Sequence, residues 1–304
     1  MAATVLTVIA TAPSAAMEPA VEAAGEALRR LGAAVERRLW LAPDLAADVP
    51  FDDLNPDQAD AAARAALAEH FPAVAFDVVA QFSAERRKRL LLADMESTII
   101  ANEMLDELAD PLGLRDKIAD ITRRAMNDEI DFVTALTERV SLLKGLPENA
   151  LEEAGRRIVI TPGAATLVAT MRAHGAYAAL VSGGFRYYSS RIRAALGFDF
   201  DIANELAITR GKLAGKVVPP ILGRDAKLAT LKRIAAERGL PLAATLAVGD
   251  GANDLGMIEA AGLGVAYHAK PAVAARARAR IERADLTALL YLQGYRAEEF
   301  VGGG

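Results

Sequence analysis

The chain contains no cysteine. Disulfides, thiolate metal sites and cysteine nucleophiles are therefore excluded, and a cytoplasmic location is the expectation for a chain without disulfides. Histidine is nearly as scarce, with His70, His174 and His268 making up the whole set. They form no H-E-x-x-H pair and suggest no Ser-His-Asp set, so each reads as a surface or loop residue and proton transfer falls to carboxylates. No uninterrupted apolar stretch reaches the roughly 18 residues of a membrane span. The opening run MAATVLTVIATAPSAAMEPA lacks the positive n-region of a secretory signal and reads as a first strand. A net charge of −5 speaks against general nucleic-acid binding. The one basic cluster, Arg86-Arg87-Lys88-Arg89, precedes a buried strand and is expected to be a solvated lead-in.

What is present is ample core material: 53% of the 304 residues are hydrophobic. That length suggests two domains, or one domain with an insertion. Residues 1–85 read as a small α/β unit, with strands at 5–10, 35–41 and 75–82 and helices at 18–31 and 57–69. The alternation predicts a compact sheet with helices on one face, and the unit carries no chemical motif.

From residue 86 to 304 the texture differs. Short, nearly continuous apolar runs at 90–93, 178–181 and 246–248 suit strands buried on both faces of a parallel sheet. Helical patterns at 164–174, 189–196 and 226–238 separate them, which is the βαβ signature of a Rossmann-like, doubly wound α/β fold. A helical insertion spans about 103–157, with Ile130, Val133, Leu136, Val140 and Leu143 at helical spacing and Gly145 and Pro147 as the stop. Placed at a strand's C-terminal end, it predicts a lid above the sheet. ELAITRGKLAGKVVPPI reads as a hairpin turning at Arg210-Gly211. Its GKLAGKV only imitates a phosphate-binding loop, because the spacing fails and Val217 replaces the hydroxyl.

Each apolar run ends in polar residues. Asp94 and Glu96 follow the first, Ser182-Gly183-Gly184 the second, and GDGAND at 249–254 the third. In a parallel sheet all three ends converge at one edge. A carboxylate can attack phosphorus, splitting one displacement into two easier ones. A second carboxyl can protonate the leaving alkoxide and then deprotonate water. Asp94, the backbone carbonyl of Glu96 and Asp250 make a credible oxygen site for Mg²⁺. Ser182 and Gly183 offer a hydroxyl and approachable N–H groups to phosphate oxygens. Lys227 falls in the first turn of a helix with Asp225 as its expected cap, where a cation opposes the helix dipole at a cost of about 0.3–1 kcal/mol. An anion held between Lys227 and the helix N-terminus would reverse that penalty.

DMEST, SGGF, the isolated Lys227 and VGDGAND, in that order, resemble the haloacid dehalogenase superfamily, and within it the phosphoserine phosphatases. NEMLDELA, RVSLLKGLP and GKLAGKV extend the likeness over about 88–270. The resemblance implies a Mg²⁺-dependent enzyme that hydrolyses the small molecule O-phospho-L-serine, the last step of serine biosynthesis. It implies Asp94 as nucleophile, Glu96 as general acid/base, and Asp250 as a metal ligand with Asp94 and Glu96. Ser182, Gly183, Lys227 and Asn253 would bind phosphate, while Asp254 would orient Lys227 or the metal shell, with Thr98 in support. Glu103 would pair with the substrate ammonium and Arg139 with its carboxylate, and Met126 and Phe132 would close the lid. An Arg guanidinium suits bidentate carboxylate recognition independently of any family.

One residue departs from the pattern: the second acid is usually aspartate, and Glu96 must fold its longer side chain back to place its oxygen. Two alternatives stay open: a phosphatase or phosphotransferase of the same fold acting on another small phosphomonoester, or a catalytically weak amino-acid sensor. The N-terminal unit is open to three roles, as an ACT-like regulatory domain, a scaffold or a homodimer contact.

Overall fold

The structure is a computed structural model and describes residues 2–126, 129–223 and 225–302, with the side chain of Met126 outside that description. The strands form two sheets. The first is built from β1 (Thr4–Ala10), α1 (Met17–Arg30), β2 (Ala34–Val35), β3 (Leu39–Ala42), β4 (Ala46–Asp52), α2 (Pro56–His70) and β5 (Phe76–Phe82). Its order is β2-β4-β1-β5, with β3 also on β4, and β1 runs antiparallel to both neighbours. This is the split βαβ arrangement.

Alternation along β1 explains its position. Leu6, Val8 and Ala10 pack with α1 and α2, whereas Ile9 joins Ala46 and Val79 in the core of the second sheet's unit. The α2 helix starts one residue before the expected 57, since Asn55 Oδ1 accepts the Asp57 N–H at 2.8 Å and Pro56 takes the first helical position. The expected strand at 35–41 is instead two pieces, β2 and β3. The strand β4 was not foreseen, and it contains Pro50, a residue that disfavours strand interiors. Pro50 is tolerated because it falls between the stretch that pairs with β3 (46–48) and the stretch that pairs with β2 (51–52).

The second unit begins with β6 (Leu90–Asp94) and the cap helices α3 (Met104–Ala109), α4 (Arg115–Met126), α5 (Phe132–Ser141) and α6 (Asn149–Gly155). It continues through α7 (Ala164–Ala173), β7 (Tyr177–Phe185), α8 (Arg186–Leu196), β8 (Phe200–Thr209), β9 (Lys212–Val218) and α9 (Asp225–Glu237). The rest is β10 (Thr245–Gly249), α10 (Leu255–Ala260), β11 (Leu263–Tyr267), α11 (Pro271–Ala274), β12 (Ala279–Ile281) and α12 (Ala288–Leu292). The sheet order is β12-β11-β10-β6-β7-β8-β9, parallel except for β9. The chain leaves β6 toward β7 and β8, then returns to the other side through β10 to β12. β6 is therefore the topological switch point, beside which open α/β sheets bind ligands.

The cap departs from the sequence reading in one respect. Its amphipathic helix is shorter than expected, because the Asp131 side chain caps it by accepting the Thr134 N–H at 2.9 Å. Ile130 therefore precedes the helix and Val133 is 42% exposed, while Leu136, Val140 and Leu143 are buried. The hairpin turns at Arg210 (φ 52°) and Gly211 (φ 71°), both left-handed, as a two-residue type I′ turn requires. Asp225 is the first residue of α9 rather than the cap before it.

The basic cluster at 86–89 is a solvated lead-in only in part: Arg87 and Arg89 are exposed, whereas Arg86 and Lys88 turn into the protein. Arg86 donates to Asp48 Oδ2 at 2.6 Å, to Thr7 Oγ1 at 3.1 Å and to the Leu292 carbonyl at 3.2 Å. Lys88 Nζ donates to the Glu85 and Ala243 carbonyls, both at 2.8 Å. Asp77 of β5 accepts the backbone N–H groups of Glu282, Arg283 and Ala284 at 2.8, 3.1 and 2.7 Å. These residues fasten the two sheets into a joint. The three histidines are exposed, and among the described residues no helix is long and apolar enough to cross a membrane.

Candidate active site

β6 ends on Asp94, β7 carries Ser182-Gly183-Gly184 in its last turn of chain, and β10 runs into Asp250. Because the three strands are parallel neighbours around β6, their polar ends meet at one edge. β6 and β10 are fully buried and β7 is buried over 178–182, so the apolar runs act as rigid supports for these tips.

Lys227 lies at the centre. It is 3% exposed, and its Nζ sits 2.7 Å from Asp94 Oδ1 and 2.5 Å from Asp254 Oδ1. Its place in the first turn of α9 is thus explained by two carboxylates that offset the helix dipole. Burial alone would lower its pKa, but the charges of Asp94 and Asp254 outweigh that and hold it above the ordinary lysine range. Asp94 Oδ1 also accepts the Met95 N–H at 2.8 Å.

Carboxyl oxygens of Asp94, Asp250 and Asp254 lie within 4.8 Å of one another. One ammonium does not balance three carboxylates. Burial and the charge of Asp254 push Asp94 well above the usual carboxylate range, with Lys227 pulling it back. Burial, then Asp254 and Glu103, raise Asp250 to about 6. A crowded, all-oxygen, electron-rich set of this kind fits a hard divalent cation. Thr98 Oγ1 stands 3.5 Å from Asp250 Oδ1 and supports it.

Glu96 does fold back. Its Oε1 accepts the Met104 N–H at the start of α3, at 2.9 Å. The residue keeps some surface exposure, but protein surrounds its carboxyl; burial and then the charge of Glu103 raise it to about 8. Gly184 is what makes room for it, since a Cβ there would lie 2.5 Å from Glu96 Oε2. The same crowding recurs in the third loop, where a Cβ on Gly249 would lie 2.3 Å from Asp254 Cγ. Gly251 N–H is in turn donated to Asp254 Oδ2 at 3.0 Å.

A small cleft beside Lys227 is lined by Phe132, Ser182, Gly183, Leu222, Gly223 and Asn253, among others. Ser182 Oγ accepts the Gly184 N–H at 2.9 Å, which leaves its own hydroxyl hydrogen to donate. A Cβ on Gly183 would come within 3.1 Å of the Phe132 ring, so the cap lies closed on this loop. Glu103 is exposed and accepts from Ser97 Oγ at 2.7 Å. Arg139 hydrogen-bonds only the Ala135 carbonyl, at 3.3 Å, and has no carboxylate within ion-pair distance among the described residues. Burial lowers its pKa, and Glu96, Glu103 and Asp106 oppose that, so these four charges share one neighbourhood. The expected lid role of Met126 lies outside the described residues, because its side chain is not described.

Asn204 escaped the sequence reading. It is buried in β8, donates from Nδ2 to the Gly183 carbonyl at 2.8 Å and accepts the Leu222 N–H at 2.7 Å. It thereby ties together two loops that line the cleft. Its only signal was an amide within a strand pattern.

Comparison with known proteins places this geometry. The profile of haloacid dehalogenase-like hydrolases matches residues 91–259. A phosphoserine phosphatase of Streptomyces coelicolor is 41% identical over 238 residues, 78% of this chain and 58% of that protein. The match thus spans less than two thirds of that relative's length. A solved phospho-aspartyl intermediate analogue of phosphoserine phosphatase superposes with TM-score 0.63 and 40% identity, covering 67% of this chain and 98% of the other. A solved HAD family hydrolase of Salmonella enterica serovar Typhi superposes with TM-score 0.83 at 27% identity, over 95% of this chain and 97% of that one. With the ordered motifs, the parallel sheet and the matched profile in agreement, the chain belongs to the haloacid dehalogenase-like hydrolase family.

Proposed function

We propose that the protein is a Mg²⁺-dependent phosphatase that converts O-phospho-L-serine to L-serine and phosphate through an aspartyl-phosphate, as the last step of serine biosynthesis in the cytoplasm. The observation that carries the chemistry is Asp94 at a buried strand tip, 2.7 Å from Lys227 and within 4.8 Å of two further carboxylates. In the first step an Asp94 oxygen attacks phosphorus, the bond from phosphorus to the seryl oxygen breaks, and Glu96 gives that oxygen its proton. The carboxyl that burial keeps protonated near neutrality is suited to this donation. In the second step Glu96 takes a proton from water, the water oxygen attacks phosphorus, and Asp94 is released. Lys227, Ser182, the Gly183 N–H and Asn253 hold the phosphoryl oxygens. Asp94, Asp250 and the Glu96 carbonyl would hold Mg²⁺, with Asp254 beside them; when bound it offsets the charge of the transferring group.

The substrate follows from Arg139 and Glu103. A half-buried guanidinium without an ion-pair partner among the described residues suits an α-carboxylate, and Glu103 offers a carboxylate to the ammonium. Phe132 covers the site from the cap. Residues 1–85 form an ACT-like domain in this reading and 86–304 the phosphatase. Phosphate release from phospho-L-serine, phospho-L-threonine and p-nitrophenyl phosphate, with Mg²⁺ and then with EDTA, tests it. Metal-dependent preference for phosphoserine is expected; turnover without that preference would remove the substrate assignment, and no turnover of any ester would remove the reaction.

A further inference from the structure

GKLAGKV, the stretch that imitates a phosphate loop without its spacing, has a different use in the fold. It forms β9, and Gly215 within it adopts φ +69°, the left-handed region where glycine is favoured. A Cβ on Gly215 would lie 2.7 Å from Lys144 Cβ, 3.2 Å from the Ser141 carbonyl oxygen and 3.3 Å from Lys144 Cα. Two of those three atoms are backbone and cannot rotate away. Gly215 is therefore a point of close approach between the hairpin and the end of α5.

Backbone hydrogen bonds reinforce the same contact. The Gly145 N–H donates to the Leu213 carbonyl at 2.9 Å, the Leu213 N–H to the Leu146 carbonyl at 2.8 Å, and the Glu148 N–H to the Gly211 carbonyl at 2.9 Å. Residues 145–148 thus add to the free edge of β9, while α5 enters the contact from the other side. The helix is held at both ends, since Phe132 in its first turn lies against Gly183 and its last residue, Ser141, lies against Gly215. Arg139 sits in that last turn, two residues before the contact. A shift of the hairpin contact would therefore move Arg139 far more than Asp94 or Lys227, which are held by separate strands and by α9.

We infer that the β8–β9 hairpin is a positioning device for substrate selection, with Gly215 as the residue that lets α5 seat at the depth Arg139 requires. Gly215 touches no substrate; it acts through α5. The inference rests on the phosphoserine reading, and a pair of substrates separates the two. Phosphoserine has a carboxylate for Arg139 to grip, and p-nitrophenyl phosphate has none.

The test measures kcat and KM with Mg²⁺ for both substrates in the full-length protein and in Gly215→Ala. The expected result is at least about a tenfold fall in kcat/KM for phosphoserine, carried mainly by KM, with p-nitrophenyl phosphate within about twofold, because a one-ångström misplacement in a site costs on that scale or more. Adding Lys144→Gly removes the colliding Cβ and should recover part of the loss. Glu148→Pro provides a second route: the Glu148 φ of −59° already suits proline, and the substitution deletes one hydrogen bond of the clamp. It should shift KM for phosphoserine in the same direction, by less. Equal losses on both substrates, or full selectivity in Gly215→Ala and Glu148→Pro, would overturn the inference alone. A wild-type protein with no preference for phosphoserine would overturn the substrate reading and this inference with it.

Discussion

Two places in the molecule bury carboxylates, and they solve the cost of doing so differently. In the joint between the sheets each buried carboxylate has its full set of donors. Asp77 receives three backbone N–H groups, and Asp48 receives Arg86 and the Thr7 hydroxyl. At the strand tips Asp94 and Asp254 share a single ammonium, half-buried Asp250 stands beside them, and the three carboxylates repel one another. Satisfied burial makes a fastening; unsatisfied burial marks a place prepared for something else, here a cation and a phosphoryl group.

The sharpest way to break this contrast is Asp94→Asn. Phosphate release should fall by at least about 10³-fold on every substrate, as loss of a covalent nucleophile does. The melting temperature of the metal-free protein should stay level or rise, since one repelling charge leaves the cluster. A variant that keeps near-normal turnover would remove Asp94 from the role, and one that unfolds would make the site a structural one.

Next in size is Arg139→Ala. Removing this guanidinium should lower kcat/KM for phosphoserine by about 10- to 100-fold, the loss expected for a charged hydrogen-bonding partner, with p-nitrophenyl phosphate little changed. Equal loss on both esters would place Arg139 in the fold of the cap and not in substrate recognition.

These two predictions differ in how far the sequence could support them. The tips were legible because each is a local pattern, an apolar run followed by acids, hydroxyls and glycines, and the parallel sheet brings such ends together by rule. The roles of Gly184 and Gly249 were not legible, because they depend on where Glu96 and Asp254 point across the site. The cap was half legible. Its helical spacing was visible, but Asp131 as cap and the start at Phe132 depend on a side-chain hydrogen bond that competes with the apolar period. The joint was misread at Arg86 and Lys88, while Arg87 and Arg89 are exposed as expected. Four consecutive basic residues look solvated until Asp48 and the carbonyls of α12, distant in sequence, are brought to Arg86.

Asp77→Asn tests the other half of the contrast. An amide in place of the carboxylate presents N–H toward donors, leaving at least one buried N–H of residues 282–284 unpaired. The expected cost is about 1–3 kcal/mol of unfolding free energy, read by denaturant titration, with kcat and KM unchanged. A fall in turnover at unchanged stability would show that the joint communicates with the strand tips.

The smallest effect, and the most discriminating in sign, is that of Asp250→Asn in EDTA. Folding raises the Asp250 pKa to about 6, so its ionised form is disfavoured in the folded state. For an acid shifted upward the penalty is absent below the unfolded pKa, grows as pH rises toward the folded value, and is constant above it. Wild type and variant should therefore have similar metal-free stability near pH 4, and the variant should gain about 1–2 kcal/mol over wild type by pH 7. Adding Mg²⁺ should stabilise wild type in proportion to its binding and leave the variant nearly unmoved. If the variant is instead the less stable protein at pH 7 without metal, Asp250 belongs with Asp77 among the satisfied carboxylates. The contrast between fastening and prepared site would then fail at the residue where it is most finely balanced.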